Sequence, residues 1–168
     1  RTTSSLTTRT PPEAIAPNPL PEPDLSKAVD HFVLFEGGLL GKPAIGLVDG
    51  KPRKLHEIMS EQKLTWTMNY SAQHEHAQMH EPLLRFGRGE TIRLKLINDT
   101  EFEHPMHLHG HTFRVLALND RPVRYRPWRD TVLMGPRGTA ELAFVAANPG
   151  EWMFHCHILD HAAGGLMG

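Results

Sequence analysis

The succession of short apolar segments and turn-forming residues constrains the fold of this chain more than any other feature. In TIRLKLIND, residues 91–99, apolar and charged side chains alternate up to the turn formers Asn98 and Asp99, as in a strand with one buried face. HFVLFE, HTFRVLALND, DTVLMG and TAELAFVA are comparable segments, and Asp49-Gly50 in AIGLVDGK is a hairpin signal. Many short strands at this spacing predict an all-β sandwich or barrel.

One domain with an N-terminal linker is the predicted organisation of the 168 residues. Residues 1–25 are rich in Thr, Ser and Pro and cannot form a core, so they are expected to be an interdomain linker. Residues 26–168 are expected to form the domain. Its best helical candidate is the short segment Ile158–Ala163, which ends at Gly164-Gly165.

Composition argues against several classes of protein. The formal net charge is −1 and the calculated isoelectric point is about 6.9, so no basic face for nucleic acid is expected. No apolar run approaches the roughly 18 residues of a membrane span. The single cysteine excludes an intramolecular disulfide.

Histidine is concentrated in two short segments, HPMHLHGH at residues 104–111 and HCHILDH at residues 155–161, which hold seven of the 12 histidines. On an extended strand, residues two positions apart point to the same side. His107 with His109, and His155 with His157, can therefore each present two imidazoles to one place. Cys156 must then point to the opposite face, so the HCH segment serves two sites, one on each side of a strand.

The cysteine side of this strand predicts a metal site. His161 follows Cys156 by five residues, and His104 opens the first cluster. One Cys with two His is the ligand set of a blue-copper electron-transfer site. Zinc also takes Cys and His ligands and remains an alternative at this point.

The sequence resembles the C-terminal cupredoxin domain of a multicopper oxidase of the laccase-like group. The resemblance rests on TWTMN, GETIRLKLIND, HPMHLHGHTFRVL, WRDTVLM and PGEWMFHCHILDH, in this order, and covers about residues 62–168. It implies an all-β, cupredoxin-like Greek-key β-sandwich with a short helical segment near the C-terminus.

The resemblance also implies a copper role for each motif histidine. His104, Cys156 and His161 would hold a type 1 copper, His107 a type 2 copper, and His109, His155 and His157 a type 3 pair. Electrons would pass from the type 1 site through Cys156 to His155 and His157, which makes these three the expected catalytic residues. His111 matches no ligand position and is expected to support the fold or the ligands. The residue expected beside the type 1 copper is Leu166, where many bacterial members have Met, and Met167 is the alternative.

By the same resemblance, the protein would oxidise one-electron donors, namely phenols, aromatic amines or metal ions, and reduce dioxygen to water at a trinuclear copper cluster. That cluster needs four further histidines from N-terminal cupredoxin domains in the same chain, in a cleaved fragment or in another subunit. The chain would thus be one part of a periplasmic or secreted oxidase.

Two alternative functions remain beside this hypothesis, and the role of one segment is open between two possibilities. A copper nitrite reductase-like protein needs no histidine on both sides of the cysteine, so HCH argues against it. A non-catalytic electron-transfer cupredoxin would be expected to have lost ligands. The segment with His74, His76, Met79 and His80 is either a solvated insertion or an outer copper- or substrate-binding loop.

Overall fold

A computed structural model describes residues 15–16, 19–40, 44–72 and 82–168. The strands in chain order are β1 Val29–Gly37, β2 Ile45–Val48, β3 Lys51–Lys54, β4 Trp66–Met68, β5 Thr91–Asn98, β6 His104–Leu108, β7 Phe113–Leu118, β8 Arg121–Pro122, β9 Trp128–Arg129, β10 Thr131–Met134, β11 Thr139–Val145 and β12 Phe154–Cys156. The helices are α1 Leu55–Gln62 and α2 Leu159–Ala163, and residues Leu25–Lys27 form a 3-10 turn.

Two sheets enclose the core. The larger sheet has the order β4-β1-β5-β11-β7-β8, with β9 also paired to β7, and the smaller has the order β10-β6-β12. Strands β1 and β5 are parallel, whereas the other pairs in these sheets are antiparallel. Apolar side chains from both sheets form one buried cluster. The predicted all-β, cupredoxin-like sandwich is therefore confirmed.

The hairpin predicted at Asp49-Gly50 joins β2 to β3. Both residues have positive φ, 49° and 70°, which is the backbone of the tight turns that match the strand twist. The predicted C-terminal helix is also present as α2, with Ile158 at its N-cap. Helix α1 was not predicted, because only Leu55 and Ile58 are buried on its two turns and so short a pattern carries little periodic signal.

Residues near the end of the predicted linker contact the domain. Pro23 is buried, and Glu22 makes a paired salt bridge of 2.7 and 2.9 Å to the guanidinium of Arg114. The same guanidinium lies 4.2 Å from the ring centre of Trp128. Residues before the boundary predicted at residue 26 therefore contact residues after it. The boundary itself stays a prediction. Among the described residues, no helix is long and apolar enough to cross a membrane.

Candidate metal centre

The candidate site is built on the pairing of β6 with β12 in the smaller sheet. His155 lies opposite His107, and Cys156 lies opposite Met106. Burial alternates along both strands, so that His104, Met106 and Cys156 face the core while His107 and His155 face outward. The predicted division of the HCH segment between two faces is thus present in the structure.

The inward group consists of His104, Cys156 and His161, called here the Cys156 trio. His104 begins β6, Cys156 ends β12, and His161 lies in α2. The two Nδ1 atoms are 3.1 Å apart, and each lies 3.8 Å from Cys156 Sγ. One ligand atom from each residue therefore converges on a single point, with all of them within 4.8 Å of one another.

Aromatic rings surround the trio and set its protonation. Trp66 lies 4.9 Å, between ring centres, from each of the two histidines. Burial, and secondarily the neighbouring His161, lowers the pKa of His104 to about 4. Burial also lowers the pKa of His161 and raises that of the Cys156 thiol. Both imidazoles are therefore neutral at pH 7 and have lone pairs for a metal, which would have to displace the thiol proton on binding.

The outward group consists of His107, His109, His155 and His157, called here the four-histidine face. In five of the six possible pairs, their ring centres lie 4.8 to 6.1 Å apart. The Nε2 atoms of His109 and His155 are 2.9 Å apart. The pKa of His109 is lowered, first by burial and then by the charges of the other three imidazoles. Four imidazoles thus lie together on the side of the small sheet away from the trio.

Backbone carbonyls orient two of these imidazoles. His107 Nδ1 lies 2.9 Å from the Asp130 carbonyl oxygen, and His155 Nδ1 lies 2.9 Å from the Cys156 carbonyl oxygen. A carbonyl can only accept, so each Nδ1 carries the proton in these bonds and each Nε2 keeps its lone pair. This is the arrangement that metal-bound histidines commonly use.

A cavity of about 420 Å³ opens beside the four-histidine face. Its lining includes His107, His109 and His111, together with Leu20 and Pro21 from the predicted linker. His111 is set apart from the other imidazoles, because its ring packs 5.3 Å from Phe144 and 6.3 Å from Trp152. The structure therefore brings together all seven predicted ligands in two groups and leaves His111 outside both.

The register of the last residues distinguishes Leu166 from Met167. Cys156 N donates to the Leu166 carbonyl, and Phe154 and Gly168 exchange two hydrogen bonds. Met167 pairs with His155. Leu166 therefore lies on the same side of the sheet as Cys156, and Met167 lies on the same side as His155. Leu166 is fully buried in the core cluster that contains Cys156, while Met167 is half-buried.

Two polar residues near the site are not indicated by the motifs. Asn98 has the sequence context of a turn former and Thr100 belongs to no motif, yet both are buried, and Thr100 Oγ1 lies 2.9 Å from His104 Nε2. The one available signal was the closeness of Thr100 to the cluster, four positions before His104. The segment with His74, His76, Met79 and His80, expected to be either a solvated insertion or a binding loop, lies outside the described residues.

Comparison with known proteins identifies the family. The sequence model of the multicopper oxidase family matches residues 48–168, so this chain belongs to the multicopper oxidases. The iron transport multicopper oxidase fetC of Epichloe festucae is 32% identical over 171 residues, with 88% of this chain and 26% of the relative covered. The L-ascorbate oxidase of Cucumis sativus is 36% identical over 99 residues, with 49% and 17% covered.

Solved structures agree with this assignment. A crystal structure of a multicopper oxidase from Pseudomonas thermotolerans superposes with a TM-score of 0.72 at 31% identity, covering 96% of this chain and 34% of that chain. A second, from Pseudomonas parafulva, has a TM-score of 0.66 at 30% identity, covering 94% and 33%. The present chain thus spans about a third of the length of these structures and a smaller share of the two curated relatives.

Proposed function

We propose that this chain is the C-terminal, copper-binding domain of an oxidase that takes single electrons from a small donor and reduces dioxygen to water. The observation that carries the proposal is the convergence of Nδ1, Sγ and Nδ1 in the Cys156 trio, on the opposite side of the small sheet from four imidazoles that lie on β6 and β12 or directly after them. The boundary at residue 26 and a location in the periplasm or outside the cell belong to the same proposal.

The Cys156 trio fits copper by its donor chemistry. One thiolate and two neutral imidazoles are the donor set of a blue-copper site, and His104 and Cys156 are fully buried. Leu166 shares the core cluster of Cys156 and offers no ligand atom, so the three residues of the trio would hold the copper by themselves. Such a site would have a higher reduction potential than one with an additional Met ligand, because a weak further ligand tunes the potential.

The four-histidine face fits half of a copper cluster. The Nε2 atoms of His109 and His155 are 2.9 Å apart, and His107 and His109 line an open cavity. We propose that His107 holds the type 2 copper, that His109, His155 and His157 hold the type 3 pair, and that four histidines of another cupredoxin domain complete the cluster.

Copper bound at the two sites would supply one-electron redox chemistry, so that four electrons and four protons convert dioxygen to two water molecules. The chain itself supplies the connection between the sites. His155, Cys156 and His157 are consecutive, and the His155 Nδ1–H bond to the Cys156 carbonyl, 2.9 Å long, adds a second link. The apolar rings around the trio exclude water and hold its imidazoles in place.

The donor is proposed as a one-electron reductant: a phenol, an aromatic amine or a metal ion. Oxygen uptake by the full-length protein with ferrous ion, cuprous ion, a phenol and an aromatic amine would identify which class it takes. Each donor is compared at equal driving force, so that specificity is separated from ease of oxidation.

The test of the proposal uses the full-length, copper-loaded protein. Cys156→Ser should remove the intense thiolate-to-copper absorption and reduce oxygen uptake to background, because the only thiolate ligand is lost. His56→Ala, which removes an exposed histidine of α1, should change neither. A folded, copper-loaded wild-type protein without the blue absorption would contradict the proposal.

A further inference from the structure

Three of the buried polar side chains in the structure form one chain of contacts that ends on the Cys156 trio. Among the described residues, the buried polar ones are Thr67, Asn98, Thr100 and His104. The last three are hydrogen-bonded in sequence, from Asn98 at the end of β5 to His104 at the start of β6. Burying such groups is costly unless each donor and each acceptor has a hydrogen-bond partner.

The orientation of the Asn98 amide is fixed by its partners. Its Nδ2 lies 2.8 Å from two carbonyl oxygens, those of Phe102 and Gly135, which can only accept. Its Oδ1 lies 3.1 Å from the backbone N–H of Thr100, which can only donate. Exchanging the two amide ends would oppose like groups at all three contacts, so Oδ1 must face Thr100.

The Asn98 oxygen in turn fixes the Thr100 hydroxyl. Oδ1 and Thr100 Oγ1 are 2.7 Å apart, a distance that requires a proton between two oxygens. The amide oxygen has none to give, so the hydroxyl donates to it. Thr100 Oγ1 is left as the acceptor in its 2.9 Å contact with His104 Nε2.

We propose that Asn98 and Thr100 are positioning residues that hold His104 as the Nε2–H tautomer, which leaves the Nδ1 lone pair directed at Cys156 and the metal position. The inference rests on the proposed copper function of the trio. The ligand atom of His104, Nδ1, is then fixed before a metal binds, because the tautomer is set by groups that do not themselves bind metal.

The network is held by a neighbouring turn. Asn98 N donates to the Gly138 carbonyl, 2.9 Å, and Arg137 N donates to the Thr100 carbonyl, 3.1 Å. The Arg137 guanidinium also contacts the carboxylates of Asp99 and Glu101. Residues 98–101 are thus tied to the turn before β11 at several points, which restricts movement of the hydroxyl that accepts the hydrogen bond from His104 Nε2–H.

The test compares Thr100→Val with Thr100→Ser in the full-length protein. Valine keeps the shape of threonine without the hydroxyl, whereas serine keeps the hydroxyl without the methyl group. Retention of the blue copper against a competing chelator, the position of its absorption band and its reduction potential are measured for each. Thr100→Val should weaken copper retention about 10- to 100-fold, the usual effect of losing a hydrogen-bond partner of a metal ligand, and shift the band and the potential. Thr100→Ser should retain wild-type values.

The outcomes separate this inference from the function on which it rests. If the copper-loaded wild-type protein shows no blue absorption band, the proposed function itself is wrong. A wild-type band with equal losses in both variants, or with no loss in Thr100→Val, overturns the positioning role. Nitrogen-15 NMR of ring-labelled histidine in the metal-free wild-type protein tests the tautomer without any substitution. Finding His104 protonated at Nδ1 instead of Nε2 overturns the inference.

Discussion

The inward and outward faces of β6 and β12 use the same residue types in opposite ways. Inward, His104 and Cys156 are fully buried, and with His161 they make a donor set whose ligand atoms all come from this chain. Outward, four imidazoles remain partly or fully accessible, and two of them, His107 and His109, line a cavity of about 420 Å³. Alternation along β6 and β12 separates His104 and Cys156 from His107 and His155, so one short strand contributes to an enclosed group on one side and an accessible group on the other.

The largest expected effect separates the two faces. His109→Ala in the full-length protein removes an imidazole that lies 2.9 Å from His155 and leaves the Cys156 trio unchanged. Oxygen uptake should fall at least about 100-fold, as expected for loss of a metal ligand of the reacting cluster, while the blue absorption stays. Parallel loss of both signals would show that the two faces do not act as separate sites.

A smaller effect is expected at the edge of the outward face. Gly110 has φ +68°, and a Cβ there would overlap the indole ring of Trp152. Gly110→Ala should cost about 1–2 kcal/mol in backbone strain and a further ~1–3 kcal/mol for displacing the ring. Oxygen uptake should fall with the blue band unchanged.

Gly89→Ala is the matched control for that substitution. Gly89 also has positive φ, +81°, but a Cβ would meet nothing within 4 Å. Only the strain of about 1–2 kcal/mol should appear in chemical denaturation. Equal losses of stability in the two variants would rule out the predicted contact with Trp152.

The smallest expected effect is confined to the inward face. Leu166→Met should lower the reduction potential of the blue copper, since an added axial thioether stabilises Cu(II). Met167→Leu should leave the potential unchanged, because Met167 pairs with His155 and alternates to the other side. Redox titration of both variants decides the matter, and a shift only in Met167→Leu would reverse the assignment.

Local pattern accounts for what the sequence could predict, and long-range partners account for what it could not. The strands and the separation of His107 from Cys156 follow from alternation within a few residues. Asn98 resembled an ordinary turn residue because its two carbonyl partners include Gly135, 37 positions away. The choice between Leu166 and Met167 likewise needed the pairing of the last residues with β12.

The sequence separation of the trio has a consequence for the order of folding. Cys156 and His161 are five residues apart, whereas His104 is 52 residues before the cysteine. Closing the short loop costs little chain entropy and can occur early, but His104 arrives only when β6 pairs with β12. During synthesis or refolding, a copper ion would therefore meet a two-ligand fragment first, and three-ligand capture would coincide with the completion of the small sheet.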